Sequence, residues 1–286
     1  MSGRARAVCG AAAGAAALAG TALAAGVTAV SGSAPSGGAA PGEAVARGFT
    51  LDGSVTPRRA YFAGRRAISV RFAIVAAGPL DLRLDVVREA TRKPVRRLAL
   101  GAVAPGTRHV VEWDGLTAGG KVAPNGRYRM RLVAPDGSAR NAGRVDQRSH
   151  IYPIRGRHVD RGAAGQFGVG RNGGRTHEGF DVDAACGTPV VAARGGVVRR
   201  AAHDPVLYGN IVVVRGERTR RDYWYSHLLR RPRLRVGDRV RTGQRIGSVG
   251  ATGNARTIGC HLHFEIRSRG RPIDPAPELH AWDRWS

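Results

Sequence analysis

Aromatic residues make up only 6% of this 286-residue chain, cysteine occurs three times, and Lys93 and Lys121 are the only lysines. Each shortage excludes something. No apolar run after residue 42 approaches the roughly 20 residues that a bilayer span needs, so everything beyond it is expected in water. Few aromatics argue against a nucleic-acid binder, which gathers positive charge on one face and interleaves stacking side chains. Charge itself is plentiful, with 46 basic against 21 acidic residues and a net of +25. It is spread evenly: residues 47–150 hold 20 basic and 8 acidic residues, and residues 151–286 hold 24 and 12. Arginine carries nearly all of it, in a chain otherwise rich in Ala and Gly.

The first residues have the pattern of an export signal. Arg4 and Arg6 precede an uncharged stretch from Ala7 through Gly42, apolar but made largely of Ala and Gly, with small residues near Ala34 fit for a signal peptidase. We expect residues 1–34 to be a signal peptide, or an N-terminal anchor if uncleaved, and residues 35–49 to be a flexible linker. Cys9 falls inside the leader. That leaves Cys186 and Cys260, an even pair in an exported protein, and a disulfide between them is expected.

Residues 50–147 alternate. Ile68, Val70, Phe72 and Ile74 form one period-two run; Tyr128, Met130 and Leu132 form another, interleaved with Arg127, Arg129 and Arg131. Turn signals at Gly78-Pro79, Asp114-Gly115, Asn125-Gly126 and Asp136-Gly137 space these strands as in a small β-sandwich. No cluster of His, Asp or Cys lies here.

Residues 151–276 hold the chemistry, with 277–286 as a C-terminal tail. His177-Glu178-Gly179-Phe180-Asp181 opens this region and His261-Leu262-His263-Phe264-Glu265 closes it, with Tyr225-Ser226-His227-Leu228 between. Two histidines and a carboxylate can hold zinc with one position left open. His177 and Asp181, four apart, would share a face of a helix or of a strand. The glycines from Gly165 to Gly174, Gly179 within the motif and Pro189 soon after do not sustain a helix, so strands are expected. In that case Gly179 leaves room for an ion, Glu178 points away, and Leu262, Phe264 and Ile266 face a core.

These segments, with Cys186-Gly187-Thr188-Pro189-Val190, Tyr208-Gly209-Asn210 and Gly243-Gln244-Arg245-Ile246-Gly247, resemble the lysostaphin/LytM family of zinc peptidoglycan endopeptidases. The resemblance implies one zinc per chain held by His177, Asp181 and His263, with His261 and His227 as catalytic histidines whose division of labour stays open. It implies an antiparallel β-sheet metallopeptidase domain acting on peptidoglycan peptides. Val111-Glu112-Trp113-Asp114-Gly115 and Pro124-Asn125-Gly126-Arg127-Tyr128 resemble the immunoglobulin-like module of the flagellar hook-capping protein. The whole chain is thus expected to be all-β, an Ig-like sandwich ahead of a lysostaphin-type domain. It is expected outside the cell or in its envelope, with anionic wall polymers as a further partner, no nucleic acid, and membrane contact only through an uncleaved leader. A catalytically silent envelope regulator that activates an amidase, and a structural assembly protein, are the alternatives. His109, His150, His158, His203 and His280 receive no role, and Asn210 is a candidate for orienting a group at the cleft edge.

Overall fold

The computed structural model describes residues 28–30 and 48–286. The expected leader and linker lie outside the described residues, save for Thr28–Val30 and residues 48–49.

The chain is all-β, and its strands gather around two cores. β1 (Thr28–Val30) pairs along the edge of one sheet, and the first core belongs to β2 (Thr50–Thr56), β3 (Arg59–Tyr61), β4 (Ile68–Val75), β5 (Leu80–Arg88), β6 (Lys93–Val103), β7 (Arg108–Trp113), β8 (Gly126–Val133) and β9 (Ala139–Arg148). They form two sheets, ordered β1-β7-β4-β2 and β3-β9-β8-β5-β6. Ile68, Val70, Phe72 and Ile74 of β4 are buried while Arg71 is exposed. Tyr128, Met130 and Leu132 of β8 point inward likewise, which is the period-two pattern of a sheet with one wet face. Trp113 and Tyr128 lie in this core with ring centroids 5.0 Å apart. The immunoglobulin-like resemblance rests on the sequence segments alone.

The second core belongs to β10 (His158–Asp160), β11 (Gly170–Arg171), β12 (Arg175–Thr176), β13 (Phe180–Ala184), β14 (Pro189–Val191), β15 (Gly196–Asp204), β16 (Gly209–Gly216), β17 (Arg221–Leu228), β18 (Arg239–Val240), β19 (Arg245–Ser248), β20 (His261–Ser268) and β21 (Arg271–Ile273). The main sheet runs β10-β13-β20-β17-β16-β15-β18, with β21 on β20; β11-β12 and β14-β19 are separate ribbons. Leu262, Phe264 and Ile266 pack into the core, so the alternate residues His261, His263 and Glu265 share the opposite face.

Residues 277–286, expected as a tail, are not one. Ala276–Asp283 form the helix α1, and the Asp274 carboxylate just before it accepts the N–H of its first residue, Ala276, at 2.9 Å. Leu279 and Trp282 are apolar residues one turn apart, and both are buried in the second core. Trp282 stacks on His150 at 4.4 Å, which draws that histidine into the same core.

The two units are in contact. Thr242 donates its hydroxyl to the Phe62 carbonyl at 2.5 Å and its N–H to Ala63 at 2.9 Å. Arg194, 3% exposed, donates to the Ser149 and Glu217 carbonyls and lies 4.6 Å over the Phe62 ring. Among the described residues, no helix is long and apolar enough to cross a membrane.

Candidate functional site

Strand register brings the first two candidate ligands together. β13 runs antiparallel to β20 with Asp181 directly opposite His263 and Asp183 opposite His261. His177 arrives differently from the expectation. It stands before β13, in the connection from β12, pinned by its N–H to the Val169 carbonyl and its own carbonyl to the Gly168 N–H, both at 2.8 Å. Gly179 serves this route. A Cβ there would come 2.6 Å from the Phe264 carbonyl oxygen and 2.7 Å from Cε1 of His263, so the glycine makes room for the His263 ring and not, as expected, for an ion.

His177 Nε2, Asp181 Oδ1 and His263 Nδ1 converge. The separations are 3.1 Å from His177 to Asp181, 2.9 Å from His177 to His263 and 2.9 Å from His263 to Asp181. All three residues are buried. Their distal atoms decide what the convergent ones can be. His177 Nδ1 lies 2.7 Å from the Gln166 carbonyl, which can only accept, so that nitrogen carries the proton and Nε2 presents a lone pair. His263 Nε2 lies 3.0 Å from Glu265 Oε1 and is a donor by the same reasoning. Lone pairs facing one another at this distance repel unless a positive charge sits among them. The local field favours one. Burial opposes a charge on His263, yet bonds to Asp181 and Glu265 outweigh it and raise the imidazole to about 9. Burial also opposes ionisation of Asp181, and the two imidazoles beside it still hold its carboxyl well below the usual range. Ligand atoms of a tetrahedral zinc lie roughly 3.3 Å apart at ordinary bond lengths, within a few tenths of an ångström of these separations. The donor set fits the metal.

Two further histidines flank the trio. His261 Nδ1 donates to the Gly259 carbonyl at 2.9 Å, leaving Nε2 3.9 Å from Asp181 Oδ1. His227 Nδ1 donates to the Thr252 carbonyl at 2.8 Å, and its ring lies 4.8 Å from that of His261. Burial lowers both, His227 to about 3 with repulsion from His263 and His261 adding to the effect. Both are therefore neutral bases near pH 7. His227 also has φ +59, a left-handed backbone that a non-glycine residue adopts at a cost of about 1–3 kcal/mol. It lies at the end of β17, where pairing with β16 changes register between Asn210 and Val212. The turn aims the ring toward the trio.

A layer behind the trio was not assigned from the sequence. Glu265, fully buried, accepts from His263 and, at 2.6 Å, from Nε of Arg267. Burial disfavours its charge, but these two donors keep the carboxyl below its ordinary range. Arg267 also donates to Glu178 at 2.6 Å and lies 4.1 Å over the Trp224 ring. The signal was present, since Glu265 shares the face of His261 and His263. Carboxylates that hold a ligand histidine's second N–H fix its tautomer and orientation.

Other expectations fell elsewhere. Asn210 is buried outside the cleft, donating to the Leu228 carbonyl and bonded to His203, so it holds the strand end after His227. His109, His150, His158, His203 and His280 stay out of the cleft. Glu178 turns from the trio toward Arg267, as expected. Cys186 and Cys260 form a disulfide, Cα–Cα 5.3 Å, joining the turn after β13 to the residue before β20. The site opens into a cleft of about 810 Å³, with the β11-β12 ribbon on one wall and Tyr208, Asn254, Thr257 and Ile258 among its other lining residues.

Residues 175–275 match the model of Peptidase family M23. Over 113 residues the chain is 38% identical to the Lipoprotein NlpD/LppB homolog of Pseudomonas aeruginosa, covering 39% of this chain and 36% of that protein. It is 41% identical over 101 residues to the Peptidoglycan DD-endopeptidase ShyC of Vibrio cholerae, covering 35% and 22%. A solved structure of the catalytic domain of lysostaphin from Staphylococcus simulans aligns with TM-score 0.35 and 34% identity, covering 41% of this chain and 87% of that one. The chain thus spans little more than a third, or less, of these two curated relatives.

Proposed function

We propose that this protein, whose residues 175–275 match the model of Peptidase family M23, is a zinc metalloendopeptidase that hydrolyses peptide bonds in the cross-links or stems of bacterial peptidoglycan. The observation that carries the reading is the meeting of His177 Nε2, Asp181 Oδ1 and His263 Nδ1, two of them imidazole nitrogens whose distal N–H is held by a carbonyl or a carboxylate, in an open cleft. These residues would hold the zinc. A bound zinc there supplies Lewis acidity, making water acidic enough to attack at neutral pH and drawing charge from a peptide carbonyl.

The chain's own groups move the protons. His261 is the proton acceptor: its Nδ1–H is committed to Gly259, its Nε2 is free, and the Asp181 carboxylate at 3.9 Å steadies the imidazolium that forms. His227 has no carboxylate at such range among the described residues. Held by Thr252 through its Nδ1–H, it presents Nε2 to the cleft as an acceptor and orients the substrate through the scissile N–H, while the proton taken up by His261 is the one passed on to the leaving amine. Glu265 and Arg267 keep His263 in the tautomer that aims Nδ1 forward. The protein is exported through its N-terminal segment, and the module over residues 50–147 places the enzyme on its substrate, helped by net positive charge against anionic wall polymers.

Elemental analysis of purified protein, turbidity of isolated cell walls and mass spectrometry of released fragments test this together. We expect one zinc per chain, falling turbidity and fragments with new amino termini, all stopped by a chelator. Zinc-loaded protein that leaves walls intact would favour the silent regulator. Protein with neither metal nor hydrolysis would favour a structural assembly role.

A further inference from the structure

The ribbon on one wall of the cleft carries a like-charge pair. β11 and β12 set Arg171 directly opposite Arg175 across the tight turn Asn172–Gly174, where Gly173 and Gly174 have φ +77 and +69. Like charges opposite one another on an antiparallel ribbon destabilise it, so the pair calls for a compensating anion. The carboxylates of the cleft do not supply it. Glu265 is taken by His263 and Arg267, Glu178 by Arg267, and Asp181 by the two histidines, with Arg171 only at 3.4 Å from its second oxygen. Arg161, the third arginine of the cleft, pairs with Asp183 at 3.1 Å and donates to the Ile258 carbonyl. Arg175 is exposed and, among the described residues, has no ion pair and no side-chain hydrogen bond. The cleft therefore ends, on this wall, in one free guanidinium beside one that is half engaged.

We infer that the ribbon is a specificity element: Arg175, backed by Arg171, receives a free carboxylate on the substrate peptide close to the bond being cut. This rests on the peptidase reading and deepens it by naming the substrate as an anionic peptide. A guanidinium suits the role because its planar fork matches the two oxygens of a carboxylate. The ribbon is tied to the metal centre at both ends of its span. Arg171 reaches Asp181, and β12 leads directly into His177. A carboxylate seated on Arg175 thus fixes the peptide relative to the reacting groups.

The test uses the full chain, zinc-loaded, with two substrates: soluble peptidoglycan fragments with free side-chain and terminal carboxylates, and the same fragments amidated with carbodiimide and ammonia. Hydrolysis is followed by mass spectrometry and binding by calorimetry. We expect amidation to lower wild-type kcat/KM by about tenfold, through KM and with matching weakening of binding, as for a lost charge-assisted contact. Arg175→Gln should lose as much on free fragments and discriminate less than twofold between the two substrates, and Arg175→Lys should recover part of the preference. Zinc content of the variants shows that the centre is intact. Equal cleavage and equal binding of both fragments by wild type would overturn the inference and leave the peptidase reading standing. If no fragment is cut, the peptidase reading falls; a binding preference for free carboxylates that vanishes in Arg175→Gln would still uphold the arginine site, and no preference would remove it.

Discussion

The two units differ most in what they bury beside their apolar cores. Among the described residues of β2–β9 and their connections, the buried polar or charged ones are Asp85, His109 and Gln147. In the second unit they are His177, Asp181, Arg194, Asn210, Ser226, His227, Thr242, His261, His263 and Glu265. Burying an imidazole or a carboxylate is costly unless it is paired. A fold that needed only stability would do what the sandwich does and line its interior with Val, Leu, Phe and Trp. The second unit accepts Asp181, His263 and Glu265 because β13 and β20 set them against His177, Arg267 and one another. Concentrated burial of ionisable groups is thus the physical mark of the unit that holds the candidate site.

The sharpest way to break this contrast is to remove one buried histidine from each unit. His263→Ala should abolish metal binding and wall hydrolysis together, because a two-ligand site seldom retains zinc. His109→Ala, whose ring stacks on Phe72 in the sandwich, should leave both unchanged and lower only thermal stability. Zinc retained at full occupancy in His263→Ala, measured by elemental mass spectrometry, would refute the ligand assignment. Next in size, His261→Ala and His227→Ala should keep the metal but slow turnover by about 10²–10⁴-fold, as for a lost general acid or base. Loss of metal in either would move that residue into the ligand set. Glu265→Gln should have a smaller effect, weakening zinc about 10- to 100-fold in chelator competition; unchanged affinity would reduce Glu265 to a packing residue. Smallest of all, a chain beginning at Ser149 should bind zinc and cut soluble peptides near the full rate, with a lower midpoint of unfolding. Residue 149 is the proper starting point because the Ser149 carbonyl accepts from Arg194 and His150 packs on Trp282. An inactive but metal-loaded truncated chain would show that the Phe62 and Ala63 contacts to Thr242 shape the cleft.

Much of the second unit was legible because period-two patterning is local. Leu262, Phe264 and Ile266 against His261, His263 and Glu265 declare a strand with a core face and a working face before any fold is known. The pairing of Asp181 with His263 across β13 and β20 was not readable from spacing, since register depends on long-range contacts. Three features escaped for identifiable reasons. His177 sits outside a strand because the chain must pass close over the His263 ring, which only Gly179 permits. The helix α1 is too short to stand out by periodicity and is fixed by the burial of Leu279 and Trp282. The left-handed turn at His227 has no compositional signal, because a non-glycine residue holds that backbone only where its surroundings impose it.

The bridge between Cys186 and Cys260 closes a loop whose ends are 74 positions apart, and that loop contains everything from β14 to the turn before β20. Its consequence is resistance to cutting. Arg230, Arg233 and Arg235 stand exposed in the stretch after β17, open to a trypsin-like protease. A break there divides the backbone, but the segments bearing Asp181 and His263 stay joined through sulfur and through their shared ladder. The cluster of His177, Asp181 and His263 would therefore stay assembled after such a nick. Under a reductant, the same nick would leave only non-covalent contacts between the two halves of the centre.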